Sequence, residues 1–218
     1  MSQSSPSADR PAVHIARLKI TLDDIKPVIW RRIEVPLTTS LLALHEVIQA
    51  VMLFENYHLF EFITGTRGAE TRYIIPDPHD AFADDDFGDT MDASKTELGT
   101  LIEVGIKRLT YTYDFGDNWE HTIIVESVAA ADPTTSYPRF IDGANCAPPE
   151  DVGGIPGFEH FINVMAKPKH PEHADIKQWY GRTFDPKDIA EAEIATRMAK
   201  LAKRQKTKKS ATTKPTLN

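Results

Sequence analysis

Residues Tyr111–Glu126 read YTYDFGDNWEHTIIVE, and the fold turns on how that stretch is parsed. Before Asp114 the pattern from Arg108 is that of a strand, and Gly116, Asp117 and Asn118 are residue types that tolerate a left-handed backbone, so a tight hairpin turn is expected there. Beyond the turn, Trp119, His121, Ile123 and Val125 alternate with Glu120, Thr122, Ile124 and Glu126, which predicts a second strand over Trp119–Ser127 with its apolar set on one face.

Working outward, Ala16, Leu18, Ile20 and Leu22 alternate with Arg17, Lys19 and Thr21, the period of a half-buried strand over Val13–Leu22. Pro27 marks a turn and Val28–Val35 reads as the next strand. Thr39 or Ser40 then caps a helix whose Leu41, Leu44, Val47, Ile48, Val51 and Met52 recur three and four apart. His58–Ile63 and Thr71–Ile75 read as strands. Ser94 and Glu97 have capping-box spacing ahead of a short helix carrying Leu98, Leu101 and Ile102. After a loop over Ala129–Pro138 and a short strand at Arg139–Ile141, Phe158–Lys167 and Glu172–Tyr180 read as helices. A last helix starts at Asp185-Pro186 and runs toward Arg204. Strands early and helices late predict an α+β fold: a largely antiparallel mixed sheet, one helix after the second strand, and C-terminal helices packed around it.

Composition narrows the function classes. The 218 residues are 41% apolar and 26% charged, an ordinary globular balance that suits one domain over 12–196, preceded by a loose segment 1–11 and followed by a flexible tail 197–218. No apolar run is long enough to cross a bilayer, and the Ser/Pro-rich start has no hydrophobic segment behind it, so a membrane role is not expected. The single cysteine, Cys146, rules out an intrachain disulfide and any zinc site needing two thiolates, and points to the cytoplasm. The net charge of −7 conceals an asymmetry: the eight Lys and Arg from Arg197 onward leave 17 basic against 32 acidic residues before them. Lys203, Arg204, Lys206, Lys208 and Lys209 would attract polyanions weakly and without sequence preference, since the tail has no aromatic residue to stack on bases; the plainer reading is a solvated tail. The seven Asp of Asp77–Asp92 predict an extended, solvated loop, and with Gly88 at the glycine position the ligand positions fall on Ala83, Phe87 and Ser94, which excludes an EF-hand.

Asp114, Asp117, His121, Glu150 and Asp151 are the groups able to hold a divalent metal or to share a proton, with Asp114, Asp117 and His121 as the nearest metal set. The Pro/Gly-rich segment Cys146–Gly154 is expected to fold over the hairpin end and complete the cluster. Trp119, Glu120, Cys146, Gly153 and Gly154 would then form a recognition surface. The competing reading is structural: Asp and Asn at tight turns accept bonds from their own backbone, and a Trp beside them packs. Cys146 reads as a small buried apolar residue, and His45 and His58 read as packing residues unless they share a cleft with His121.

The YTYDFGDNWEHTIIVE stretch resembles the hallmark of the plasmid pRiA4b ORF-3-like family. So do Ile25–Arg32, Leu44-His45 through Gln49, His58-Leu59 with Phe62, and Cys146–Gly154, in the family's order over roughly residues 13–190. The resemblance implies association with mobile elements and no defined activity. Labels such as resolvase-like or repressor-like find no support in the residues: Ser2, Ser4, Ser5 and Ser7 lack an arginine cluster, and no Ala-Gly dipeptide is present for self-cleavage. Where the family leads one to expect Gly-Trp after the first helix, this chain has Leu53-Phe54, which loses an indole donor. The reading that follows is a non-enzymatic binding or accessory module with a protein or small-molecule partner. The alternative is a metal-assisted hydrolase built on Asp114, Asp117, His121, Glu150 and Asp151; no nucleotide motif, zinc-protease helix or nucleophile elbow accompanies it.

Overall fold

The computed structural model describes residues 13–76 and 89–212. The segment 1–11 and all but the end of the acidic stretch lie outside the described residues, as do the side chains of Lys206, Lys208 and Lys209. In chain order the elements are β1 (His14–Leu22), β2 (Ile29–Pro36), α1 (Leu41–Met52), β3 (Phe60–Thr66), β4 (Ala69–Ile74), β5 (Asp89–Asp92), α2 (Leu98–Glu103), β6 (Arg108–Tyr113), β7 (Trp119–Ala130), β8 (Arg139–Ala144), α3 (Gly154–Met165), α4 (His173–Tyr180) and α5 (Glu191–Thr212). The strands form a single sheet in the order β5-β4-β3-β6-β7-β1-β2-β8. All neighbours are antiparallel except β4 and β5, so the fold is α+β with a mixed sheet.

Alternation sets which face is buried. Leu18, Ile20 and Leu22 of β1, Ile33 and Val35 of β2, Tyr111 and Tyr113 of β6, and Trp119, His121 and Ile123 of β7 all point into the core. They share it with Leu41, Leu44, Val47, Ile48 and Val51 of α1, Phe158 and Phe161 of α3, and Ile194 and Met198 of α5. The opposite face is polar and self-neutralised. Glu34 accepts from Arg17 and Arg139, Arg32 is forked onto Glu126, and Trp30 lies between Lys19 and Arg32, their charged ends 5.3 and 5.0 Å from its ring centre.

Helix α1 starts as its sequence predicts, with Ser40 Oγ accepting from Ala43 N at 3.2 Å. Its far end is held by Arg31, whose buried guanidinium donates to the carbonyls of Val51, Trp30 and Ala144. A last-turn carbonyl of α1 and the β2–β8 edge are thereby tied to one side chain. Burial without a carboxylate partner pulls the Arg31 pKa down to about 10, which leaves it charged at neutral pH. Gly143 makes room for it: a Cβ there would stand 2.8 Å from Arg31 Cδ and 2.9 Å from Trp30 O.

Five sequence expectations are corrected. The capping box at Ser94 does not form; Asp92 accepts from Ser94 instead, and α2 is capped by tertiary contacts, with Leu98 N and Gly99 N donating to the carbonyls of Thr39 and Leu37. The last part of the acidic stretch, Asp89–Asp92, is an edge strand parallel to β4. Helix α3 begins at Gly154, ahead of Phe158, because Pro156 lies in the first turn, where its missing N–H has no intrahelical partner to lose. Helix α5 begins at Glu191; residues from Asp185 to Ala190 are turns fastened by the Asp185 and Asp188 side chains. The expected boundary between body and tail at 196/197 also falls inside α5. Arg197 donates to Phe54 O at 2.7 Å and to Glu55 and Glu193, Met198 and Ala202 are buried, and Arg204 pairs with Glu46 at 3.2 Å.

Candidate functional site

One end of the sheet gathers the β6–β7 turn, the start of β3 and the segment leaving β8. The turn is built by its own residues: Asp114 (φ 55°) and Asn118 (φ 54°) take the left-handed backbone that Asn and Asp tolerate, and Asp114 Oδ1 accepts from Gly116 N at 2.9 Å. Asp114 N donates to Leu59 O at 2.9 Å, which fixes the start of β3 beside the turn. The Pro/Gly segment folds over this end, as the sequence predicts. Asp117 Oδ2 accepts from Gly153 N at 3.1 Å, and Gly154 (φ 65°) passes so close that a Cβ would stand 2.8 Å from Asp117 O.

Glu150 is the second fastening. Its Oε1 accepts from Tyr113 Oη at 2.9 Å and from the Glu55 amide, and Tyr113 Oη in turn accepts from Tyr57 N at 3.0 Å. Burial, and then the Glu150 carboxylate beside it, raise the Tyr113 pKa well above its ordinary value, so the phenol stays a donor. Phe54 stacks on Tyr113 with ring centres 4.9 Å apart.

On this frame His58 Nε2 faces three carboxylates: Asp151 Oδ1 at 2.9 Å, Asp114 Oδ2 at 3.6 Å and Glu150 Oε2 at 3.9 Å. One ligand atom from each of His58, Asp114 and Asp151 lies within 4.8 Å of the others, a spacing that can hold a metal ion. Next in sequence to His58 and Asp114 are three exposed apolar residues, Tyr57, Leu59 and Phe115, the first two each 73% exposed.

The structure thus brings together Asp114, Glu150 and Asp151 of the expected set and adds His58. The other two expected members serve elsewhere. Asp117 is spent on the Gly153 amide, and His121 is wholly buried on the core face, where Nδ1 lies 2.9 Å from Trp119 O and the ring meets Phe54 edge-on at 5.9 Å. Sharing a strand face with Trp119 placed His121 in the core, since that face is the one the helices cover. Burial lowers its pKa to about 4, so the ring is neutral at physiological pH. Trp119 is likewise no surface residue; it is buried, edge-on to Phe158 at 6.4 Å. Glu120 is exposed, Cys146 is half-buried with its thiol pKa pushed up by that burial, and Gly153 and Gly154 act through their backbone. His45 packs as expected, stacked on Phe60 at 3.7 Å with Nδ1 2.8 Å from Tyr111 Oη. Of the tail cations, Lys203 and Arg204 are exposed on α5. The signal that could have found His58 is its neighbourhood: Tyr57 and Leu59 are apolar residues that the strand pattern does not bury.

The sequence matches the family model described as Plasmid pRiA4b ORF-3-like protein over residues 14–193. It is 35% identical over 201 residues to the uncharacterized protein y4hQ of Sinorhizobium fredii (strain NBRC 101917 / NGR234), covering 88% of this chain and 97% of that relative. The crystal structure of a protein of unknown function, MM3350, from Methanosarcina mazei Go1 superposes with a TM-score of 0.71 at 33% identity, covering 81% of this chain and 95% of the other. Both relatives are of uncharacterised function, and among the described residues no helix is long and apolar enough to cross a membrane. With a match across the whole sheet and helices α1 to α4, the chain belongs to the plasmid pRiA4b ORF-3-like family.

Proposed function

We propose that the protein is a binding module whose recognition surface is the sheet end formed by Tyr57–Leu59, the Asp114–Asn118 turn and the Cys146–Gly154 segment. The observation that carries this reading is the convergence of three distant pieces of chain on one polar floor with an exposed apolar rim, Tyr57, Leu59 and Phe115. Large apolar side chains held in water beside a carboxylate–imidazole cluster suit a ligand with an apolar body and a polar end. The module works in the cytoplasm, for which the single cysteine is the support. Weak polyanion contact through the basic end of α5 rests on charge alone.

The test is a ¹⁵N NMR screen with small aromatic compounds bearing a carboxylate, phosphate or amine. Binding should shift amides of residues 57–59, 114–118 and 150–153 together, and the triple variant Tyr57→Ser, Leu59→Ser, Phe115→Ser should abolish the shifts while leaving the melting temperature unchanged. Shifts confined to other surfaces would refute the assignment. The hydrolase alternative keeps one supporting observation, that Asp114, Glu150 and Asp151 each lie within 3.9 Å of His58 Nε2, with His58 in place of His121. Turnover of phosphate or carboxylate esters, lost in Asp114→Asn, would favour it.

A further inference from the structure

The floor of this surface has an imbalance of charge. Asp114 has a side chain only 9% exposed and Glu150 one only 11% exposed, and Asp151 stands beside them. Among the described residues no Lys or Arg lies within ion-pair distance of any of the three; their shared partner is the single imidazole of His58. Buried carboxylates without a cation are costly, several kcal/mol each on the order of magnitude, unless their oxygens are otherwise satisfied.

Those oxygens are divided between structural and unspent. Asp114 Oδ1 and Glu150 Oε1 are committed to Gly116 N, and to Tyr113 Oη and the Glu55 amide. Their second oxygens are not. Glu150 Oε2 is buried and has no hydrogen-bond partner, and Asp114 Oδ2 stands 3.6 Å from His58 Nε2. Each anchored carboxylate therefore directs its unspent oxygen toward the same nitrogen.

We infer that His58, Asp114 and Asp151 bind a divalent first-row metal ion, with Asp114 Oδ2 and His58 Nε2 as the fixed ligands, Asp151 as the adjustable one, and Glu150 adding its negative charge beside them. The inference rests on the reading of this sheet end as the binding surface and specifies what its floor holds. Bonds of about 2.1 Å from one ion place neighbouring ligand atoms roughly 3 to 4 Å apart. The separation of 3.6 Å between Asp114 Oδ2 and His58 Nε2 already lies in that interval. The shorter 2.9 Å contact involves Asp151, whose side chain is 67% exposed and has room to turn. One imidazole nitrogen among carboxylate oxygens suits Zn²⁺ or Mn²⁺ better than Ca²⁺ or Mg²⁺, whose preferred ligands are all oxygen. An ion with these few protein ligands would have positions left for an oxygen donor, so the polar end of the ligand would be a carboxylate or a phosphate.

The test uses the full chain without an affinity tag, titrated calorimetrically with ZnCl₂, MnCl₂ and CaCl₂ separately, with amide broadening by Mn²⁺ read in parallel. Saturable binding of one Zn²⁺ or Mn²⁺ per chain is expected, at least tenfold weaker in His58→Ala and in Asp114→Asn, a change that keeps the turn's accepting oxygen. Broadening should centre on residues 57–59, 114–116 and 150–152. Fragment shifts at the rim without metal binding would sink this inference and leave the functional reading standing. It is equally overturned if only Ca²⁺ binds, if no titration saturates, or if binding survives His58→Ala with Asp114→Asn and disappears in His160→Ala with His170→Ala, a histidine pair 6.2 Å apart on the surface.

Discussion

At the scale of single residues, buried polar groups carry the sharpest consequences. Arg31 satisfies three backbone carbonyls, and Arg31→Met would strand them in the interior. A loss of about 3 kcal/mol is expected, read as a lower urea midpoint with an unchanged slope. His45 and His121 make stability depend on acidity. Both have folded pKa values lowered by burial from 6.5 to about 4. Their contribution is complete above the unfolded value and drains away as pH falls from about 6.5 to 4, because the unfolded chain takes up protons that the folded one refuses. Each ring is worth up to ~3 kcal/mol across that window. Urea midpoints at pH 7, 5.5 and 4.5 should fall steadily, and His121→Gln should flatten the slope; an unaltered slope in that variant would contradict the assignment.

At the scale of elements, the clasp between the β6–β7 turn and the start of α3 is what makes a site of separate segments. Gly154→Ala would force a Cβ against Asp117 O and a side chain into the left-handed region, φ 65°. The expected cost is about 2 kcal/mol, with amide exchange rising at Gly153 and Glu150 ahead of the rest of the fold. Equal acceleration everywhere would show that the clasp has no local role. The start of α1 offers a calibration, since Ser40→Ala removes one capping bond and should cost about 1 kcal/mol without touching the sheet end.

At the scale of the molecule, α5 closes the core. It reaches from the chain's end back to α1 and to Phe54, the residue that stacks on Tyr113 of the site. Truncation after Thr196 removes Met198 and Ala202 from the interior and the Arg197 bonds to Phe54 O and Glu55. A destabilisation of at least about 2 kcal/mol should follow, seen as a melting temperature several degrees lower. An unchanged melting temperature would return the residues beyond Thr196 to the status of a tail.

Local periodicity determined a good deal without any fold. The alternation in Ala16–Leu22 and Trp119–Val125, the stripe of α1 and its Ser40 cap, and the Gly116–Asn118 turn are all readable because each depends on neighbours two to four residues away. Whatever depended on distant partners was not. Helix α2 begins where carbonyls of Leu37 and Thr39 meet its amides, β5 exists because β4 lies beside it, and the α5 boundary is set by burial against α1. The site divides in the same way. The turn carboxylates and the Pro/Gly segment were visible as chemistry. The choice of His58 over His121 was made only when one strand face was covered by helices and the start of β3 was pinned to Asp114, since period two tells which residues share a face and says nothing of which face meets water.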